Sequence, residues 1–215
     1  RNNLKLSELP HGARIGTDST RRRSQLLNIR DDFIVQSVRG NVNTRLEKLD
    51  NGDYDALILA VAGLKRIEEE KRITQIFAAT DFIPSPGQGA LAIVSKKNNA
   101  ELNNLLSQLN HESSVTAVTI ERSFSKAMGG GCKMPVGAYA VCEEQTVTLH
   151  GMIGSLDGKR IAKEMITGDR EQADVLAEKL ANGLLKNETW YQRDVLTKYV
   201  VVTRPNAEDD EFINQ

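Results

Sequence analysis

The 215-residue sequence predicts an α/β unit followed by an α+β unit. Three observations carry this. Short β-rich runs alternate with helical segments up to residue 83, as in βαβ connectivity. Ala56–Val61 is continuously apolar, as expected of a parallel strand covered on both faces. After residue 111 the pattern changes to one long helix, three strands with an Asp157-Gly158 hairpin signal, and a closing helix.

Taken in order, Ala13–Gly16 is the first expected strand, and Thr17, Asp18 and Ser19 offer caps for a helix over Thr20–Asn28. Phe33–Val38 is the second strand and ends at Arg39-Gly40-Asn41. A helix over Val42–Leu49 places Leu46 and Leu49 on one face, and Asp50-Asn51-Gly52 stops it. Ala56–Val61 is the third strand, Ala62–Arg72 a helix and Ile76–Ala79 another short strand. Pro84-Ser-Pro-Gly-Gln-Gly89 is a breaker-rich crossing. A strand over Ala90–Ser95 and a helix over Ala100–Leu109 follow, the helix with Leu102, Leu105, Leu106 and Leu109 on one face. This pair has no sheet of its own nearby in sequence and reads as part of a domain completed elsewhere. Ser113–Met128 is a long helix with a stripe of Ala117, Ile120, Phe124 and Met128. Ala138–Cys142, Thr146–Ile153 and Arg160–Ile166 are three antiparallel strands, closed by a helix over Asp169–Lys186 with Leu176, Leu180 and Leu184 in register. The expected units are therefore 1–83, 84–110, 111–195 and a tail, 196–215, whose Lys198–Thr203 reads as the first strand of a further domain.

Composition excludes several classes. Lys and Arg total 28 against 29 Asp and Glu, a net charge of -1 that carries no global nucleic-acid or membrane signal. No apolar run reaches the length of a membrane span, and no secretory leader is visible. Two cysteines, Cys132 and Cys142, do not make a disulfide scaffold, which points to a reducing cytoplasm. His11, His111 and His150 show no ligand spacing, so no metal is expected. Aromatics are 5% of the chain, so the core must be mostly aliphatic.

Two features suit chemistry. Gly129-Gly-Gly-Cys-Lys-Met-Pro-Val-Gly137 puts Cys132 on a pliable, partly basic loop, where a thiolate is reachable and Lys133 helps stabilise it. The first unit carries Arg21, Arg22 and Arg23 in the first turn after strand one, Arg39 and Arg45 around the end of strand two, and Lys65 and Arg66 shortly after strand three. In open α/β sheets, ligands bind at the carboxyl ends of strands near helix N-termini. Guanidinium forks there suit a polyanion such as a carboxylate or phosphate. Arg23 reads as an ordinary solvated helix charge. A nucleic-acid module would add stacking aromatics or a broader basic face, and neither is present.

Five ordered motifs resemble one family: Gly16-Thr-Asp-Ser-Thr-Arg-Arg22, Arg39-Gly-Asn-Val-Asn-Thr-Arg45, Leu59-Ala-Val-Ala-Gly-Leu-Lys-Arg66, Pro86-Gly-Gln-Gly89 and Gly130-Gly-Cys-Lys-Met-Pro-Val-Gly137. Together they are similar to porphobilinogen deaminase, the hydroxymethylbilane synthase family, over residues 4–195. The resemblance implies a transferase of tetrapyrrole biosynthesis with a periplasmic-binding-protein-like α/β lobe and a small α+β domain. By it, residues 1–83 are most of domain two, 90–107 the returning segment of domain one, and 111–195 domain three. It also implies a dipyrromethane cofactor held covalently by Cys132, on which four porphobilinogen units are deaminated and joined head to tail. By the same resemblance Ser19, Arg21, Arg22, Arg39 and Gly40 contact the cofactor, and Arg22, Arg45 and Arg66 the substrate. Each pyrrole carries acetate and propionate arms, which the arginines suit. The family's catalytic aspartate matches no segment here, so a chain incomplete at its N-terminus and inactive alone is expected. The complete protein is expected to be a monomer without nucleic-acid or membrane partners. Asp18 and Thr20 stand where the family commonly has Ser and Leu, and a carboxylate at 18 repels substrate unless it pairs with an arginine. Tyr199-Val-Val-Val-Thr-Arg-Pro205 is similar to the opening strand of uroporphyrinogen-III synthase, which implies a fusion. The competing reading is a non-enzymatic anion-binding protein.

Overall fold

A computed structural model describes residues 4–130 and 134–194. The first sheet is parallel, in the order β2 (Ile34–Gln36), β1 (Arg14–Gly16), β3 (Ala56–Leu57). β1 leads into α1 (Thr20–Ile29), β2 into α2 (Val42–Asp50), and the chain after β3 into α3 (Val61–Arg66). Ser19 caps α1 and Asn41 caps α2, each side chain accepting from a first-turn N–H. Ile15, Leu26, Phe33, Val35 and Phe82 form the core of this unit.

The second sheet is antiparallel, in the order β4 (Val136–Cys142), β5 (Thr146–Gly154), β6 (Ile161–Asp169). One face is covered by α5 (Glu112–Ala127) and α6 (Ala173–Asn187), and α7 (Thr189–Asp194) follows. Ile120, Phe124 and Met128 meet Val136, Ala138, Leu149, Leu176, Leu180 and Leu184 there. The helical stripes read from the sequence are thus the buried faces. The far end of the sheet meets α1, where Ser24 packs on Gly154 and Leu27 on Gly158.

Between the sheets the expectations change. Ile76–Ala79 and Ala90–Ser95 form no strand. Leu91 is 87% and Val94 93% exposed. A strand needs a ladder partner, and neither run has one among the described residues. The third strand is likewise shorter than expected, because only its first two residues pair with β1. The helix expected over Ala62–Arg72 ends at Arg66, then becomes a 3-10 turn over Glu70–Arg72. Glu68, at φ +58, breaks it in the left-handed region. α4 (Ala100–Ser107) forms, but it is two residues shorter than expected, and its Leu102 and Leu105 stay exposed, as does Leu109 beyond its end. Among the described residues, no helix is long and apolar enough to cross a membrane.

Candidate anion-binding cleft

A cavity of about 230 Å³ runs along β3 and the chain after it; its wall is mostly aliphatic, with Leu46, Leu57 and Leu64 among its lining, and also includes Arg21, Arg22, Asp55, Arg72 and Gln88. The turn from β1 into α1 places the two arginines. The Ser19 Oγ accepts from the Arg22 N–H at 3.3 Å, which turns the first helical residues toward the cavity. Arg21 is only 5% exposed. Its Nη1 donates to the Ile83 carbonyl at 2.6 Å and its Nη2 to Gln88 Oε1 at 3.5 Å. Arg22 Nη1 donates to the Ile58 carbonyl at 2.7 Å. These are neutral acceptors, so they satisfy the guanidinium donors and leave the charge uncompensated.

The electrostatics agree. Burial lowers the pKa of Arg21 to about 9, and the neighbouring Arg22 adds to the effect. Burial likewise lowers Arg22, followed by repulsion from Arg45. Three guanidinium groups therefore crowd one strand-end region, and a bound polyanion relieves that repulsion. Arg45 Nε donates to the Gly40 carbonyl at 2.8 Å. Gly40 takes φ +114, a conformation glycine tolerates and side chains rarely adopt. Asp18 settles the tension noted in the sequence: it lies 3.9 Å from Arg45 and accepts from the Ser37 hydroxyl. The extra carboxylate is turned onto an arginine.

The other expected site residues lie farther out. Arg39 is exposed in the turn after β2, where its carbonyl accepts from Lys48 at 3.1 Å. Arg66 ends α3 and is exposed, and neither it nor Arg39 lines the cavity. Arg23 donates to the Val35 carbonyl at 2.8 Å, a structural bond to the sheet. Cys132 lies outside the described residues, as does the tail after residue 194. What flanks Cys132 is described: α5 ends at Ala127, the Gly130 N–H donates to the Ser125 carbonyl at 2.7 Å, and Met134 is buried before β4 begins. Cys142 packs partly against the domain core, and burial raises its thiol pKa. His150 stacks on Tyr139, with ring centroids 6.2 Å apart. Among the described residues, no cluster of three or more His, Cys, Asp or Glu forms a metal site.

Sequence reasoning missed four residues. Gln25 makes two bonds to the main chain of Ile83, at 2.8 and 3.0 Å. Gln88 backs Arg21. Gly137 lets the Arg21 stem pass beside β4, with Arg21 Cδ 3.0 Å from the position a Cβ would take. Glu121 is buried beside the α5 stripe. Periodicity marks that position only as the flank of an apolar face, so nothing in the spacing announces a buried carboxylate.

Two family models match the sequence. One, described as "Porphobilinogen deaminase, dipyromethane cofactor binding domain", matches residues 1–104. The other, "Porphobilinogen deaminase, C-terminal domain", matches residues 115–186. The residues lining the cavity fall within the first interval, and Cys132 falls within the second.

Proposed function

This chain belongs to the porphobilinogen deaminase family, and from that premise we propose that Cys132 carries the dipyrromethane cofactor, that Arg21 and Arg22 hold its carboxylates, and that Arg45 holds those of the substrate. The family activity is that of a transferase that makes hydroxymethylbilane from porphobilinogen in tetrapyrrole and haem biosynthesis. One observation carries the residue assignment. One buried and one half-buried guanidinium group, bonded to carbonyl and amide oxygens, line the cavity beside β3. Acetate and propionate arms are the counter-charges such a site accepts, and bidentate forks hold them in register. The bound dipyrromethane supplies the primer that chain growth extends. The protein's part is to neutralise the accumulating carboxylates. Ser19 fixes the helix turn that presents Arg22, and Gly40 presents Arg45. Arg39 is assigned to the cofactor and Arg66 to the substrate; both are exposed, so each meets its carboxylate in a more solvated setting than Arg21 does.

Membership in the family disfavours a simple anion-binding protein. We read the complete enzyme as a cytoplasmic monomer without nucleic-acid partners, in keeping with its near-neutral charge. Tyr199–Pro205 supports a fusion to uroporphyrinogen-III synthase, which an assay of the natural protein for that second activity tests.

Mass spectrometry of the holoenzyme tests the assignment. A dipyrrole adduct is expected on the peptide containing Cys132, and Cys132→Ser should lose both adduct and turnover while remaining folded. An adduct on another residue, or normal turnover by Cys132→Ser, overturns it.

A further inference from the structure

Glu121 lies midway along α5 and is only 6% exposed. Its two oxygens bond separate segments. Oε2 accepts from the Gly87 N–H at 2.6 Å, and Oε1 from the Ala140 N–H at 2.8 Å. Burial pushes this carboxyl pKa up, and the two donors pull it back. Because both oxygens act as acceptors, an amide is no substitute: one of its ends is an NH₂ that would face an N–H.

Gly87 belongs to the crossing that the sequence marks as breaker-rich. The rest of that crossing is also tied on both sides. The Pro84 carbonyl accepts from the Ala138 N–H at 3.0 Å. The Ile83 carbonyl accepts from Arg21 and Gln25, and Gln88 meets Arg21. Residues 83–88 are thus bonded to α1 on one side and to α5 and β4 on the other. α5 is the helix that enters the Cys132 loop, and β4 is the strand that leaves it.

We propose that Glu121 is a positioning residue: by holding Gly87 and Ala140 together it fixes the 83–88 crossing against β4, and so sets Arg21 relative to both ends of the Cys132 loop. The proposal rests on the reading of Arg21 as an anion-binding residue. A carboxylate suits the role because charge-assisted bonds to N–H groups are shorter and stronger than neutral ones. Residues 83–88 contain two prolines and one glycine and no regular secondary structure, so they depend on such cross-bonds rather than on a helix or a ladder of their own.

Hydrogen exchange read by mass spectrometry, on the holoenzyme and its Glu121→Gln variant, provides the test, together with porphobilinogen kinetics. Amides of residues 84–90 should exchange roughly tenfold faster, or more, in the variant. β5 and α6 should keep wild-type protection, and KM should rise more than kcat falls. Unchanged exchange over 84–90 overturns the proposal. Loosening that extends equally through β5 and α6 also overturns it, because a general loss of packing would then be the cause. Local loosening with a wild-type KM breaks the link to the cleft and overturns it as well. If Glu121→Gln does not yield folded protein, Gln88→Leu leaves both Glu121 bonds in place and should still raise KM; an unchanged KM there overturns the proposal. The exchange measurement does not depend on a bound dipyrrole. Local loosening in a protein without any adduct on Cys132 therefore supports the anchoring role while removing the cofactor assignment.

Discussion

Replacing Gly137 by alanine adds one methyl group where the two units meet. The new Cβ would lie 2.7 Å from Met152 Cγ and 3.0 Å from both Arg21 Cδ and the Pro84 carbonyl oxygen. Ordinary carbon–carbon contacts sit at about 3.5–4.0 Å, so the gap to Met152 is short by nearly 1 Å. None of the three neighbours yields freely. Met152 is fully buried, the Pro84 carbonyl is bonded to Ala138, and Arg21 is bonded to Ile83. Overpacking of this kind costs about 1–3 kcal/mol. At ~2 kcal/mol, a chain of this size should lose about 4–8 °C in Tm. The displaced Arg21 should also lower the fraction of protein that carries the dipyrrole. Thermal denaturation and intact mass of the same preparation measure both. Gly12→Ala is the control: at φ +72, with nothing within 4 Å of its Cβ, it tests backbone strain without a clash. A wild-type Tm and full cofactor loading in Gly137→Ala would refute the close approach of Arg21 to β4.

Asp18→Ser should lower KM for porphobilinogen by roughly the fivefold that ~1 kcal/mol represents, because a carboxylate leaves Arg45; an unchanged KM separates Arg45 from the substrate. Arg45→Leu should raise KM, and adding Asp18→Ser should recover part of the loss; strictly additive effects would deny the pairing. Gly40→Ala should destabilise by about 1–3 kcal/mol, because it strains φ +114 and presses on Thr44, and urea denaturation reads the change. Arg30 holds the Asp32 carboxyl down from 3.8 to about 2. A depressed folded pKa contributes stability above the unfolded value that is lost as pH falls through the folded one, here between about pH 4 and pH 2. Asp32→Asn should flatten the fall of Tm in that window; parallel curves for variant and wild type would deny the effect.

Local patterns in the sequence were enough for much of this architecture. The apolar stripes of α5 and α6, the cap ahead of α1 and the Asp157-Gly158 turn are short-range signals, and each appears in the structure. The placement of Arg21 and Arg22 at a strand end was legible for the same reason: parallel strands followed by helices leave few alternatives for where a helix begins. The strand pattern at Ala90–Ser95 shows the limit. Its apolar residues predict a strand and none forms, because a ladder depends on a partner that local sequence does not specify.

By itself, the sequence determined the succession of a parallel α/β unit and an antiparallel α+β unit, and that Arg21 and Arg22 begin a helix just after the first strand. Only the tertiary structure decided which arginines share a cavity, that Asp18 faces Arg45, and that Glu121 joins Gly87 to Ala140. The physical reason is separation along the chain. Residue 121 is 34 positions from its Gly87 partner. Packing alone brings such groups to hydrogen-bonding distance, and no period of two or 3.6 residues encodes it.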